Sequence, residues 1–149
     1  RMKLGERDFT LMGFGLNLPF EPNKYYMWTN LVKRNNSNFW LYGDYGVEVD
    51  RRNIVQKVFL LTNNAYTGRG ATLGYHVSTI LALYGRPDRV EWGPDKEKSV
   101  DAYYYDSPYQ KGVSLVIVVR HNEPYVDDII LTSTPIKNIQ DPMERYGLK

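Results

Sequence analysis

The 149-residue chain has no cysteine and only two histidines. Without cysteine there is no disulfide framework, no thiolate nucleophile and no Cys-ligated zinc site. His76 and His121 alone supply imidazole, and neither has a His, Asp or Glu at helical metal-ligand spacing. Charge of one sign is also lacking: nineteen Lys and Arg against seventeen Asp and Glu leave a formal charge of +2. That excess is too small and too evenly spread for a nucleic-acid or anionic-membrane surface. No apolar run approaches the roughly 18–20 residues of a membrane span. No Gly-x-Ser-x-Gly elbow occurs, and Gly68-Arg69-Gly70 is not followed by the Gly-Lys-Ser/Thr ending of a phosphate loop. Gly13-Phe14-Gly15 leads into no βαβ unit. The opening residues Arg1 to Gly5 show neither the basic nor the apolar region of a signal peptide. The expectation is a chain with no catalytic residues, no cofactor and no metal.

What is abundant is aromatic. Thirteen Tyr, five Phe and three Trp make 14% of the chain, within an apolar share of 42%. Tyr joins a large apolar ring to a polar tip, which suits sheet faces and half-wet contact surfaces.

One helix is plainly written. Val77, Ile80, Leu81 and Tyr84 fall at i, i+3, i+4 and i+7, with Gly85 as C-cap and Pro87 beyond. His76 falls near its N-cap. Strands are expected at Phe39–Tyr42, Gly46–Val49, Val55–Thr62, Ala102–Tyr105, Val113–Val119 and Val126–Thr132, separated by turn residues. The two sets run in the same order. Gly46-Val47 matches Gly112-Val113 at an offset of 66, Leu60-Leu61-Thr62 matches Ile130-Leu131-Thr132 at 70, and Trp40-Leu41-Tyr42 matches Tyr103-Tyr104-Tyr105 at 63. A first helix at Glu6 to Met12 would complete the parallel. The reading is an α+β fold: one antiparallel sheet, short helices on one face, and two α-β-β-β(-β) pseudo-repeats. The repeats span 1–68 and 69–137, followed by a tail at 138–149 with a turn at Asp141-Pro142 and little else, all in one compact domain.

The stretch from Thr67 to Gly74, the helix, and Tyr84-Gly85-Arg86-Pro87-Asp88 together resemble small bacterial envelope modules of the SmpA/OmlA type. They also resemble the tandem beta-lactamase-inhibitor-protein-like domains. The resemblance covers about residues 67–132 and implies a helix followed by antiparallel strands, with a non-catalytic protein-binding role in the envelope or outside the cell. The sequence departs from both groups in its lack of cysteine, for a lipid anchor in one and disulfides in the other.

On a strand, residues two apart share a face. Trp40 and Tyr42 are expected to share one face with Tyr103 and Tyr105, while Val47, Val49, Val113, Leu115, Ile117, Phe59, Leu61, Ile129 and Leu131 line the helix-covered face. If Leu41 marks the helix-covered face too, the four aromatics stand on an open one, the composition of a binding hot spot; the alternative is that they pack beneath loops or the N-terminal segment Leu16 to Trp28. Arg69 is an added contact. The segment Tyr25 to Asn36 mixes aromatics, amides and two basic residues, so Trp28 and Trp40 stacking on a glycan is the rival to a protein partner; a strand running into an Asn-rich turn also fits it. His121 reads as a turn residue, and Asp127-Asp128 as a solvated strand end.

Overall fold

A computed structural model describes residues 3–21 and 29–149. The chain opens with a single 3-10 turn, Glu6–Phe9, where the sequence suggested a helix to Met12. Met12 and Gly13 both have positive φ (53° and 81°). They form the two-residue turn that pairs β1 (Thr10–Leu11) with β2 (Phe14–Gly15), a geometry no helix shares.

Eight further strands form one antiparallel sheet: β3 (Asn30–Lys33), β4 (Ser37–Leu41), β5 (Tyr45–Asp50), β6 (Val55–Leu60), β7 (Arg89–Glu91), β8 (Val100–Asp106), β9 (Ser114–Arg120) and β10 (Val126–Thr132). Their spatial order is β3-β4-β5-β6-β10-β9-β8-β7. Each four-strand set is a meander, and the sets join through their last strands, β6 and β10. The Asn-rich segment after Lys33 is the β3–β4 turn, closed by Arg34 N donating to Ser37 O at 2.9 Å.

Helix α1 (Val77–Tyr84) has the bounds its pattern predicts. His76 Nδ1 accepts from Ser78 N at 3.1 Å as the N-cap, and Gly85 takes φ 75° at the other end. Ile80 and Tyr84 are buried, but Leu81 is left exposed.

Residues opposed in an antiparallel pair lie on the same face. Trp40 pairs with Val47, Tyr103 with Ile117 and Tyr105 with Leu115. Val47, Leu115 and Ile117 form the core beneath α1 together with Phe9, Leu11 and Phe14 from the N-terminal segment. Trp40, Tyr42, Tyr103 and Tyr105 therefore face the helices, and the expected open aromatic face does not exist. The phase error has a local cause. Leu41 belongs to the opposite layer, packed with Phe39 and Phe59, so it marks the other face. A register shift between Glu48 and Val49 then resets β6. Val55, Val58 and Leu60 point to the helices, and Phe59 and Leu61 turn away from the face expected for them. Ile129 and Leu131 lie under the helices as expected.

The second face is covered too, by the segment that the sequence left as a tail. Asp141 caps a short α2 (Pro142–Tyr146) by accepting from Met143 N at 2.9 Å, with Pro142 in the first turn and Gly147 in the left-handed region after it. Helices thus lie on both faces, not one. The segment crosses the sheet as a strap. Gln140 makes two 2.9 Å bonds to the backbone of Val100 on β8. Arg145 bonds to Asp127 at 2.8 Å and closely to Asp128 on β10, and also to the Ile139 carbonyl. The Tyr146 ring stacks on Phe59 of β6 at 4.3 Å, and its hydroxyl donates to Asp128. The Leu148 carbonyl accepts from Arg34, beside β3, at 2.8 and 3.0 Å.

Asp127-Asp128 is therefore no solvated strand end. Asp128 and Arg145 are both buried. Burial pushes the Asp128 carboxyl up to about 6 even though Tyr146 and Arg145 donate to it.

Candidate functional site

The sequence-predicted contact residues are not brought together. Trp28 lies outside the described residues. Trp40 and Tyr42 sit at one side of the sheet, half-buried, with Trp40 against Phe20 at 5.6 Å and Tyr42 stacked on Tyr45 at 5.0 Å. Tyr103 and Tyr105 are five strand steps away on β8, about 24 Å at the usual strand spacing. Tyr105 is fully buried against Tyr84, and its hydroxyl donates to Gly85 O at 2.8 Å. Arg69 is an internal clamp rather than a free contact. It holds Asp8 through two bonds of 2.6 and 2.9 Å and donates to Leu83 O at 3.0 Å, tying the N-terminal turn to α1. Its guanidinium holds the Asp8 carboxyl below the ordinary carboxylate range.

Tyr103, half-buried like Trp40 and Tyr42, differs from them in having a strongly exposed aromatic neighbour. Trp92 is 66% exposed, the highest value for a large apolar side chain among the described residues. Its ring stands edge-on to Tyr103, centroids 6.4 Å apart at 76°. Trp92 follows β7, the edge strand paired to β8 with Val90 opposite Tyr103. The signal was there: Arg89-Val90-Glu91-Trp92 alternates charged and apolar residues before Gly93-Pro94. Three paired residues are too short a run to read as a strand with assurance of its faces.

The strand is fixed by its charged side chains on the far face. The Arg89 guanidinium stacks 3.8 Å over the Tyr104 ring. Tyr104 Oη donates to Glu91 at 3.3 Å, and Asp88 accepts from Asp106 N at 2.7 Å. Those contacts leave the apolar side of β7, with Val90 and Trp92, turned to the α1 layer at the sheet corner.

Below Trp92 the corner is polar and tightly paired. Gly93 N donates to Asp101 Oδ1 at 2.7 Å. The buried Asp101 carboxylate also meets His121 Nδ1 at 2.8 and 3.0 Å, and His121 Nε2 lies 3.4 Å from Asp95. The hydrogen bond to Asp101 holds His121 above the ordinary histidine range, with the Asp101 and Asp95 charges adding to it. Gly93 has no room for a side chain, because a Cβ there would fall on the Val100 carbonyl oxygen. Gly93→Ala is expected to unpair β7 from β8 and move Trp92 while leaving β9 and β10 intact. Amide hydrogen exchange checks this: protection should drop at β7 and persist on β9.

On the strap side of the same sheet end lies a cleft of about 430 Å³ lined by Arg120, Asp127, Gln140 and Arg145. Its Arg120 and Arg145 both engage Asp127, at 3.5 and 2.8 Å. Among the described residues no group of three or more His, Asp or Glu is placed to hold a metal ion, and no helix is long and apolar enough to cross a membrane. Compared with protein families, with curated proteins and with solved structures, the chain matches none.

Proposed function

We propose that this chain is a non-catalytic protein-binding module that makes contact through Trp92 and Tyr103 at the β7 corner of its sheet. One observation carries the reading: among the described residues the most exposed large apolar side chain is a Trp, held at the end of a short, well-anchored edge strand beside a half-buried Tyr. Trp and Tyr are the residues that concentrate binding energy when a partner desolvates them. The pairing of Asp101 with His121, and of Asp128 with Arg145, supports a structural use of these groups. The resemblance of residues 67–132 to envelope modules supports an envelope or extracellular setting.

The two meanders read as pseudo-repeats, supported by the mirrored strand order about β6 and β10. Offsets of 63 and 66 superpose residues of one face, Trp40 on Tyr103 and Val47 on Val113. The offset of 70 does not, because Leu60 and Ile130 lie on opposite faces. Leu131, one residue further, is the partner that a repeat demands.

The test is Trp92→Ala. Its side chain is outside the core, so the variant keeps the wild-type thermal midpoint. A protein retained by the immobilised wild type should be reconstituted from purified components and should bind the variant about 30-fold more weakly, the loss of a 2 kcal/mol hot spot. Equal binding by both forms overturns the reading. An exposed indole beside a Tyr edge also suits stacking on a sugar ring, so a glycan array is the second arm. Saturable glycan binding lost in Trp92→Ala replaces the protein partner with a carbohydrate.

A further inference from the structure

We propose that His121 is a proton-operated clasp that fastens the Trp92–Asp95 loop to the sheet and so sets how Trp92 is presented. The inference rests on the reading of Trp92 as a contact residue and adds regulation to it. The geometry supplies the argument. His121 sits between two carboxylates, one on each ring nitrogen: Asp101 at Nδ1 and Asp95 at Nε2. A neutral imidazole carries one N–H and can donate to one of them; only the imidazolium donates to both. The two carboxylates differ in kind. Asp101 is buried on β8 and also accepts from Gly93 N. The Asp95 side chain is 91% exposed, and among the described residues this ring is its one ion-pair partner.

Loss of the proton therefore has an ordered effect. The remaining N–H stays on Nδ1, where Asp101 is nearer and drier, and an imidazole lone pair then faces the Asp95 carboxylate. The loop loses its side-chain fastening at Asp95. What remains is local (Lys96 N to Pro94 O at 2.6 Å, Ser99 N to Lys96 O at 3.0 Å), with a long bond from Asn122 Nδ2 to Lys96 O at 3.5 Å and His121 N donating to Ser99 O at 2.9 Å where the segment enters β8. The other charged or titratable groups in the elements around the ring are Lys96, Glu97 and Lys98 in the loop, Arg120 and Glu123 flanking His121, and the neutral Tyr103 phenol on β8. Among the described residues, only Asp101 and Asp95 come within ion-pair distance of the ring. The hydrogen bond to Asp101, with the two negative charges, raises the His121 pKa above its ordinary value. That places the release on the alkaline side of the ordinary histidine range.

The experiment needs no partner, so its outcome is separate from that of the binding test. The His121 ring is titrated by NMR in the wild type and in Asp95→Asn, and exchange of the Lys96 and Ser99 amides is measured below and above the midpoint, corrected for intrinsic rates. The expected result is a lower His121 midpoint in Asp95→Asn. Loop protection in the wild type should fall above its midpoint, by tenfold for each unit separating the two midpoints, as linkage requires. His121→Gln should show no change in loop protection across that pH range. Equal midpoints in wild type and Asp95→Asn, or loop protection that ignores the His121 titration, overturns the clasp.

Discussion

Arg145→Met is expected to destabilise the protein by about 3–5 kcal/mol, the usual cost of removing one partner from a buried ion pair. Arg145 is almost fully buried, and its guanidinium bridges Asp127 and Asp128 while bonding the Ile139 carbonyl. Without it the buried Asp128 carboxylate keeps only the Tyr146 hydroxyl as a side-chain donor. The loss should appear as a lower urea midpoint. The double variant Arg145→Met/Asp128→Leu should recover most of it, because the uncompensated charge leaves together with its partner. A loss under about 1 kcal/mol would mean that water reaches Asp128 and that the strap is not seated as described.

The same carboxylate gives stability a pH signature. Its folded pKa, about 6, lies above the roughly 3.9 of an unfolded Asp. Between those values the folded chain holds a proton that the unfolded chain lacks, so this group's contribution rises as pH falls from about 6 towards 4. His121, raised in the fold, acts in the same sense: its contribution is full below the ordinary histidine value and is lost as pH rises through the folded one. Asp8, held low by Arg69, acts oppositely and loses its contribution as pH falls below the ordinary Asp value. Stability should therefore peak in the mildly acidic range; a steady rise from pH 5 to 8 contradicts the assignment.

Gly46→Ala is the second large effect. A Cβ at Gly46 would stand 2.5 and 2.6 Å from two atoms of the Phe59 ring and 2.9 Å from Leu41 Cδ2. Side chains can often give way, but this ring cannot do so cheaply. It is fully buried, stacked on Tyr146 at 4.3 Å and packed near Phe39 at 6.4 Å. To move it is to push Tyr146, which also bonds Asp128 and anchors the strap. Overpacking of this kind costs about 1–3 kcal/mol, and the upper end is expected here. Chemical denaturation checks the size, and Gly46→Ala/Phe59→Leu checks the cause. The second substitution should cost much less in the Ala background than in the wild type. Strictly additive losses would show that Phe59 is not what excludes a side chain at Gly46.

The contrast between α1 and the strap shows where the sequence was legible. α1 is marked by local rules: an apolar stripe at helical spacing, a capping residue before it, and Gly85 and Pro87 after it. β9 and β10 were equally plain, being long runs of β-branched residues. The face of each strand was not, because a strand's period is two and any one-residue irregularity inverts everything beyond it. The irregularity opposite Gln56 did that to Phe59 and Leu61. Leu41 looked like a core marker, and it is one, but for a second core whose cover lies a hundred residues further on. That cover was illegible for the same reason. α2 is five residues long, too short for periodicity, and Ile139, Tyr146 and Leu148 are anchored by partners scattered over the chain. Trp92 lies just past a three-residue strand that gives no clear pattern, whereas Tyr105 belongs to the core and Trp40 packs half-buried against that core.

The mirrored strand order also governs how the molecule assembles in time. Within each meander every strand pairs with its sequence neighbour, so each can zip up from its own hairpins. The seam between β6 and β10 is different: it joins the last strand of one meander to the last strand of the other, so it waits for both. The bond from Arg34 to Leu148 closes a loop of 114 residues and waits for the seam. The folding order expected of this topology is two fast local events followed by one slower docking, with the strap sealing it.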